Sequence, residues 1–277
     1  MSVNTAKTIN EIKAAAAQMR RDAINMTQNA GNSGAHIGGT LSMIEIMATL
    51  YLGIMCYDGD NPGWERRDRF ILSKGHGAMA QYAAMKQAGI LSAADLLTYK
   101  KNESRLNAHP SLGTIPGIEF SSGSLGQGLS LGVGVALALR RKANKVSRVF
   151  VLVGDGECDE GSIWEAASSA SHYRLNNLVA IIDENRLQYD GRTDEIQNKQ
   201  PFAERWSSFG WETRRIDGHS IEQLLDALNT ETKRPLAVIA RTIKGKGITF
   251  MENDPLWHNR RLTETQYQTA IEELERA

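Results

Sequence analysis

Asp155 stands between two glycines, Gly154 and Gly156, directly after the apolar run Val149-Phe150-Val151-Leu152-Val153. Asn185 is separated from Gly156 by 28 intervening residues and follows a second such run, Leu178-Val179-Ala180-Ile181-Ile182, through Asp183-Glu184. The carboxylate and the amide each offer a hard oxygen. Mg²⁺ takes few protein ligands and fills its octahedron with phosphate oxygens and water. The glycines let a ligand approach the backbone, and a helix starting just beyond would aim its positive end there. The spacing therefore predicts a metal–diphosphate site. An acidic helix cap would account for Asp155 but gives no reason for Asn185.

Other loop chemistries fit worse. No Gly-Lys-Ser/Thr follows, so this is not a P-loop. A dinucleotide fingerprint would not place a carboxylate where pyrophosphate must approach. An EF-hand through Asp155, Glu157 and Asp159 would need Gly at position 160 and Glu at 166; the chain has Glu160 and Ala166.

These residues need elements to hold them. Two β-branched runs flank Glu160 to Arg174, which is free of proline and rich in Ala and Ser; that is a βαβ unit with parallel strands. Asp155 and Asn185 then fall on neighbouring loops at the carboxyl ends of the strands, where ligands collect in open parallel sheets. Further strands are predicted at 70–72, 211–216 and 235–241. Helices are predicted at 8–28, 41–52, 78–87, from the 121–128 loop through Arg141, at 202–209 and 221–228, with an exposed helix at 263–276. The alternation predicts an α/β fold with a mostly parallel sheet and helices on both faces.

Glycine-rich or polar loops carry three more candidate groups: His36 in the segment 31–39, His76 after Ser73-Lys74-Gly75, and His109 before Pro110; Trp257-His258 lies in an irregular segment near the end. His76 sits at a strand-to-helix junction, where an anion is well placed. Gly128 and Gly132 bare one helix face, for tight packing or a contact between protomers. Thr242-Ile243-Lys244-Gly245-Lys246-Gly247 is another glycine loop, with two cations.

The 277 residues allow one large domain, and the formal net charge of zero argues against nucleic acid. Cys56 and Cys158 form no zinc pattern and suggest a reducing, cytoplasmic setting. The start is polar, without a signal-peptide core. The apolar run from Leu129 to Leu139 is too short to span a bilayer, so no membrane association is expected.

Gly154-Asp155-Gly156 with Asn185 resembles the thiamine diphosphate motif. Adding His36, Ser73-Lys74-Gly75-His76, His109-Pro110, Gly123-Ser124-Leu125-Gly126-Gln127-Gly128 and His258 in that order, nearly the whole chain resembles the amino-terminal part of transketolase. The resemblance implies a single thiamine diphosphate-binding domain over 1–277, with an irregular arm from about 242. It implies that Asp155, Asn185 and the Leu187 carbonyl hold Mg²⁺ or Ca²⁺. His76, Gly156 and His258 would face the diphosphate, Gly123, Ser124 and Leu125 the aminopyrimidine, and Glu157 the cofactor. His36 and His109, with His76 and His258, would act on the sugar. Glu160 would lie at the cofactor-side interface near the partner's catalytic Glu.

The implied activity is transfer of a two-carbon ketol unit from a ketose (phosphate) to an aldose (phosphate). The pyrimidine domain has no room here, so the resemblance implies a split enzyme. Its second subunit would carry that domain, and the assembly would be a dimer of heterodimers. Two departures bear on substrate. Ala35 separates His36 from Ser-Gly, an extra residue also seen in the related deoxyxylulose-phosphate synthases, and Ser124 stands where transketolases commonly have Pro. Two other readings stay open: the α chain of a 2-oxoacid dehydrogenase, which gives no reason for the four histidines, and a non-catalytic cofactor-binding module.

Overall fold

The computed structural model describes residues 6–144 and 146–276. Five strands form one parallel sheet: β1 (Arg69–Leu72), β2 (Val149–Gly154), β3 (Leu178–Glu184), β4 (Glu212–Asp217) and β5 (Leu236–Arg241). The strand order is β1-β2-β3-β5-β4, and every pairing is parallel. Gly154 is in register with Asp183, so the loops bearing Asp155 and Asn185 are neighbours, as the sequence pattern predicts.

Helices cover both faces. They are α1 (Ile9–Asn29), α2 (Ile37–Leu41), α3 (Ile44–Thr49), α4 (Ala78–Gln87), α5 (Ala93–Leu96), α6 (Gly128–Arg141), α7 (Gly161–His172), α8 (Thr193–Ile196), α9 (Phe202–Ser208), α10 (Ile221–Leu228) and α11 (Glu264–Arg276). Strand alternation divides the core. Phe150, Leu152, Val179, Ile181 and Val238 face a cluster built with α1 to α4 and α10. Val151, Val153, Ala180, Ile182 and Ile239 face a second cluster with α6, α7 and α9. Each fully buried Val, Ile or Leu contributes roughly 1.5–3 kcal/mol, so the central strands anchor both layers.

Thr8 and Glu11 form a reciprocal capping box that fixes the start of α1. The segment 31–39, expected to be loop throughout, opens with a 3₁₀ turn at Gly31–Ser33 and becomes α-helical at Ile37. Its glycines serve close packing: a Cβ on Gly38 would lie 2.8 Å from the Trp257 carbonyl oxygen, and one on Gly39 would lie 3.3 Å from the His76 ring. The expected helix at 41–52 is interrupted by a turn at 42–43 and ends in a π turn, Leu50–Ile54. β3 runs two residues past its apolar stretch because Asp183 and Glu184 find partners at the sheet edge.

The terminal helix is not simply exposed. α11 buries Ala270 and Leu274 and packs on α1, where Tyr267 Oη donates to Asn25 Oδ1 at 2.9 Å. Among the described residues between β5 and α11, the only helix is the short 3₁₀ turn Pro255–Trp257, so the arm is irregular up to α11. No helix among the described residues is long and apolar enough to cross a membrane.

The small face of α6 lies on the sheet, not on another helix. A Cβ on Gly132 would sit 2.5 Å from Val151 Cγ2, whereas one on Gly134 meets nothing within 4 Å. Gly132→Ala is expected to lower stability by about 1–3 kcal/mol through overpacking. Gly134→Ala is expected to raise it by roughly 0.5–1 kcal/mol, because Ala is the better helix former. Urea denaturation of the two variants checks the opposite signs.

Candidate active site

Loops from the carboxyl ends of β1, β2, β3 and β5 meet above the sheet, and the strand order sets them side by side. Asp155 is 4% exposed. Its Oδ1 accepts from Gly156 N at 2.9 Å and its Oδ2 from Arg186 N at 2.7 Å, which joins the β2 and β3 loops. Burial, and then the nearby Asp183 charge, pushes its pKa up to about 7. This carboxylate is short of positive charge. Asn185 donates from Nδ2 to Asp183 Oδ2 at 3.0 Å, and its Oδ1 accepts from Leu187 N at 3.1 Å. Leu187 turns its carbonyl toward Lys244 Nζ, 3.0 Å away.

No group of three His, Cys, Asp or Glu side chains suited to a metal occurs among the described residues. A dication here would rest on one carboxylate and neutral oxygens, the sparse set that suits Mg²⁺ beside phosphate. Two lysines supply an anion cradle. Lys74 is 1% exposed, donates to Asp183 Oδ2 at 2.5 Å and to the Gly39 carbonyl at 3.0 Å, and lies beneath the His76 ring packed on Gly39. Lys244 Nζ also lies 3.2 Å from His258 Nδ1, and burial together with Lys74 lowers its pKa to about 8. The donor set thus fits a diphosphate with its metal.

The four histidines singled out in the sequence converge, though 222 positions separate the first from the last. His36 stands at their centre, its ring centroid 5.6 Å from His76, 5.6 Å from His109 and 5.4 Å from His258; His76 and His258 are 5.2 Å apart. Burial keeps them neutral at pH 7. It is the largest cause in each case, lowering His36 to about 4 and His258 to about 3, with His76 and His109 lowered too. Lys100 adds repulsion on His36 and His109, while its Nζ donates to the Ser33 and Gly34 carbonyls at 3.0 and 2.8 Å. The Tyr189 ring meets His258 edge-on at 5.3 Å and is 71% exposed.

Gly123 (φ 147°) lies against the His109 ring, and Ser124 and Leu125 are exposed beside it. Glu157 behaves as a brace for this loop. Its Oε1 accepts from Ser73 Oγ and from Gly126 N at 2.9 Å, and its Oε2 accepts from Gly154 N at 3.0 Å. Both oxygens are engaged by protein donors, so what it holds directly is these loops. Glu160 precedes α7 with an exposed side chain beside Gly126.

Sequence reasoning missed Asp183, Lys244, Lys100 and Tyr189 as site residues and quoted Lys74 only within its motif. An Asp closing an otherwise apolar strand was the available signal, since a buried charge demands a partner. Asp183 also accepts from Ser42 Oγ at 2.6 Å and from Thr242 Oγ1. Asp183→Asn leaves Lys74 buried without its counter-charge and is expected to cost about 3–5 kcal/mol. Urea denaturation measures this; a loss under about 1 kcal/mol would remove the pair from its structural role.

Residues 11–274 match the family model described as "Transketolase, thiamine diphosphate binding domain". The chain is 41% identical over 244 residues to the 6-deoxy-6-sulfo-D-fructose transketolase subunit SqwG of Clostridium sp. (strain MSTE9), covering 87% of this chain and 88% of that protein. It is 41% identical to an apulose-4-phosphate transketolase subunit of Phocaeicola vulgatus, covering 86% and 85%. The transketolase of Campylobacter jejuni superposes with a TM-score of 0.90 at 28% identity over 97% of this chain, which spans 43% of that one. Human transketolase is 39% identical, and the chain spans 42% of it. With a match running from the first helix to the last and relatives of its own length, the chain belongs to the transketolase family, where it represents the thiamine diphosphate-binding domain.

Proposed function

We propose that this chain is the diphosphate-binding subunit of a two-chain transketolase, moving a two-carbon ketol unit from a ketose donor to an aldose acceptor. The observation that carries this is the gathering of four neutral imidazoles above two buried lysines, beside Asp155, Asn185 and the Leu187 carbonyl. A cofactor-binding module needs only the metal loop, and a 2-oxoacid dehydrogenase chain gives no reason for the histidines.

When bound, thiamine diphosphate supplies the nucleophilic carbon and the carbanion sink for the reaction. Asp155, Asn185 and Leu187 hold Mg²⁺ or Ca²⁺. Lys74, Lys244, His76, His258 and the Gly156 backbone receive the diphosphate, and Gly123, Ser124 and Leu125 line the ring end. Lys244 donates to His258 Nδ1, which places the ring proton on Nε2, where it serves a substrate oxygen. His36 and His109 hold the sugar hydroxyls and steady charge developing on the carbonyl oxygen. A neutral imidazole both donates and accepts, so either can move a proton without first losing one to solvent.

The exposed Glu160 side chain supports a contact with the second subunit, whose pyrimidine domain brings the catalytic Glu; a dimer of heterodimers follows from this reading. The relatives' names, one a sulfonated and one a phosphorylated ketose, support a ketose with an anionic tail as donor. The free cysteines Cys56 and Cys158 support a cytoplasmic setting.

Asp155→Ala is expected to abolish metal-dependent binding of thiamine diphosphate in titration calorimetry; retained metal-dependent affinity would defeat the assignment. The purified chain alone is expected to show no ketol transfer, and activity should appear once the partner is supplied. Turnover by the rigorously purified single chain would contradict the split arrangement.

A further inference from the structure

A second concavity opens at the same edge of the sheet, over the carboxyl ends of β3, β5 and β4. It is a cleft of about 650 Å³, lined on its charged side by Arg186, Arg215, Arg241 and Lys246 against Glu184 and Asp217. Its volume is that of a small-molecule site. None of the four histidines, nor Asp155, Asn185 or Lys244, lines it.

The charges are not all paired internally. Arg215 pairs with Glu184 at 3.0 Å, and Lys246 lies 3.3 Å from Glu252. Arg186 and Arg241 have exposed side chains with no ion pair or side-chain hydrogen bond among the described residues. Arg241 is in register with Glu184 on one side and Asp217 on the other, so it stands in the middle of the strand ends. Glu184 is 2% exposed and already accepts from Arg215 with both oxygens, at 3.1 and 3.0 Å. The Glu184 charge is therefore already neutralised, which leaves Asp217 as the one lining carboxylate without an ion pair among the described residues, against the free guanidinium groups of Arg186 and Arg241.

Basic residues here also have a simpler use. β4 is an edge strand, and cations on an edge discourage pairing with other chains. Arg214 and Arg234 meet that need: Arg214 is exposed on β4, and Arg234 pairs with Glu212. Edge protection does not account for Arg186, in the loop after β3, and Arg241, at the end of β5, which reach the same hollow from the ends of two interior strands. Guanidinium groups match phosphate oxygens with paired donors, and a cleft whose cations outnumber its carboxylates four to two suits a dianion.

We propose that this cleft is a second anion site, separate from the histidine cluster, which takes a small phosphate-bearing metabolite through Arg186 and Arg241. The probe is inorganic phosphate, titrated calorimetrically into the full chain with thiamine diphosphate and Mg²⁺ at saturating concentration, so that the cradle beneath the histidines is offered its own ligand. One saturable phosphate site is expected. The double variant Arg186→Asn, Arg241→Ser should weaken it about tenfold or more, since two charge-assisted contacts are lost. Asn suits the positive φ of 63° at position 186. Arg241→Lys, keeping the charge but not the paired donors, should fall between the parent and the double variant, which separates a lost contact from a damaged fold.

Phosphate binding seen only when thiamine diphosphate and Mg²⁺ are omitted would place the ion in the cofactor cradle, and binding left intact in the double variant would place it away from Arg186 and Arg241; either result would overturn the proposal. No saturable binding, or a site that disappears when the partner is added because the cleft serves the interface, would overturn it equally.

Discussion

Asp183 carries its charge at the end of β3 with no exposure to water, and Lys74 meets it from the β1 loop at 2.5 Å, itself almost wholly enclosed. Neither charge is tolerable there without the other. Ser42, Thr242 and Asn185 complete the coordination of the carboxylate. One side chain thus pins the α2–α3 turn, the β1 loop, the β3 loop and the β5 loop to a common point. Every group assigned to the cofactor or the sugar stands within a few residues of that point or packs on it, save the braced 121–128 loop and His109.

The electrostatics above the pair follow from burial. Lys74 and Lys244 make the floor of the site positive, and that field, added to desolvation, holds the imidazoles overhead in their neutral form. Lys74 has Asp183 as its counter-charge, while Lys244 is held by the Leu187 carbonyl and His258 without an ion pair among the described residues. Asp155 is raised in spite of that floor: burial and the neighbouring Asp183 outweigh Lys74 and the backbone donors at that carboxylate.

Close backbone approach is the second recurring device. Gly39 admits the His76 ring, Gly126 admits Glu160, and Gly128 admits Ser73. Glu157 then ties the β1 and β2 loops to the 121–128 segment through three protein donors. The result is a set of loops that are irregular in backbone yet fixed in position, as a site that must orient two ligands requires.

Local pattern was enough for the sheet and its central loop pair. Apolar β-branched runs mark β2 and β3, the proline-free stretch between them marks α7, and a parallel βαβ unit must place Asp155 and Asn185 on adjacent loop tips. The boundaries of α4 and α10 also follow from local periodicity and breakers alone. His36, His76 and His109 were legible as candidates through the glycine and proline around them, His258 only through the family resemblance. Their meeting was not, because it depends on chain segments as remote as 36 and 258 returning to one point. The Lys74–Asp183 pair spans 109 positions, and nothing near either residue names the other. That β5 lies between β3 and β4, carrying Lys244 to the Leu187 carbonyl and Arg241 to the second cleft, was likewise decided only in three dimensions. Local sequence dictates hydrogen-bonding period and turn chemistry; which charges share a dry interior is settled by strand order and packing, where distance along the chain no longer counts.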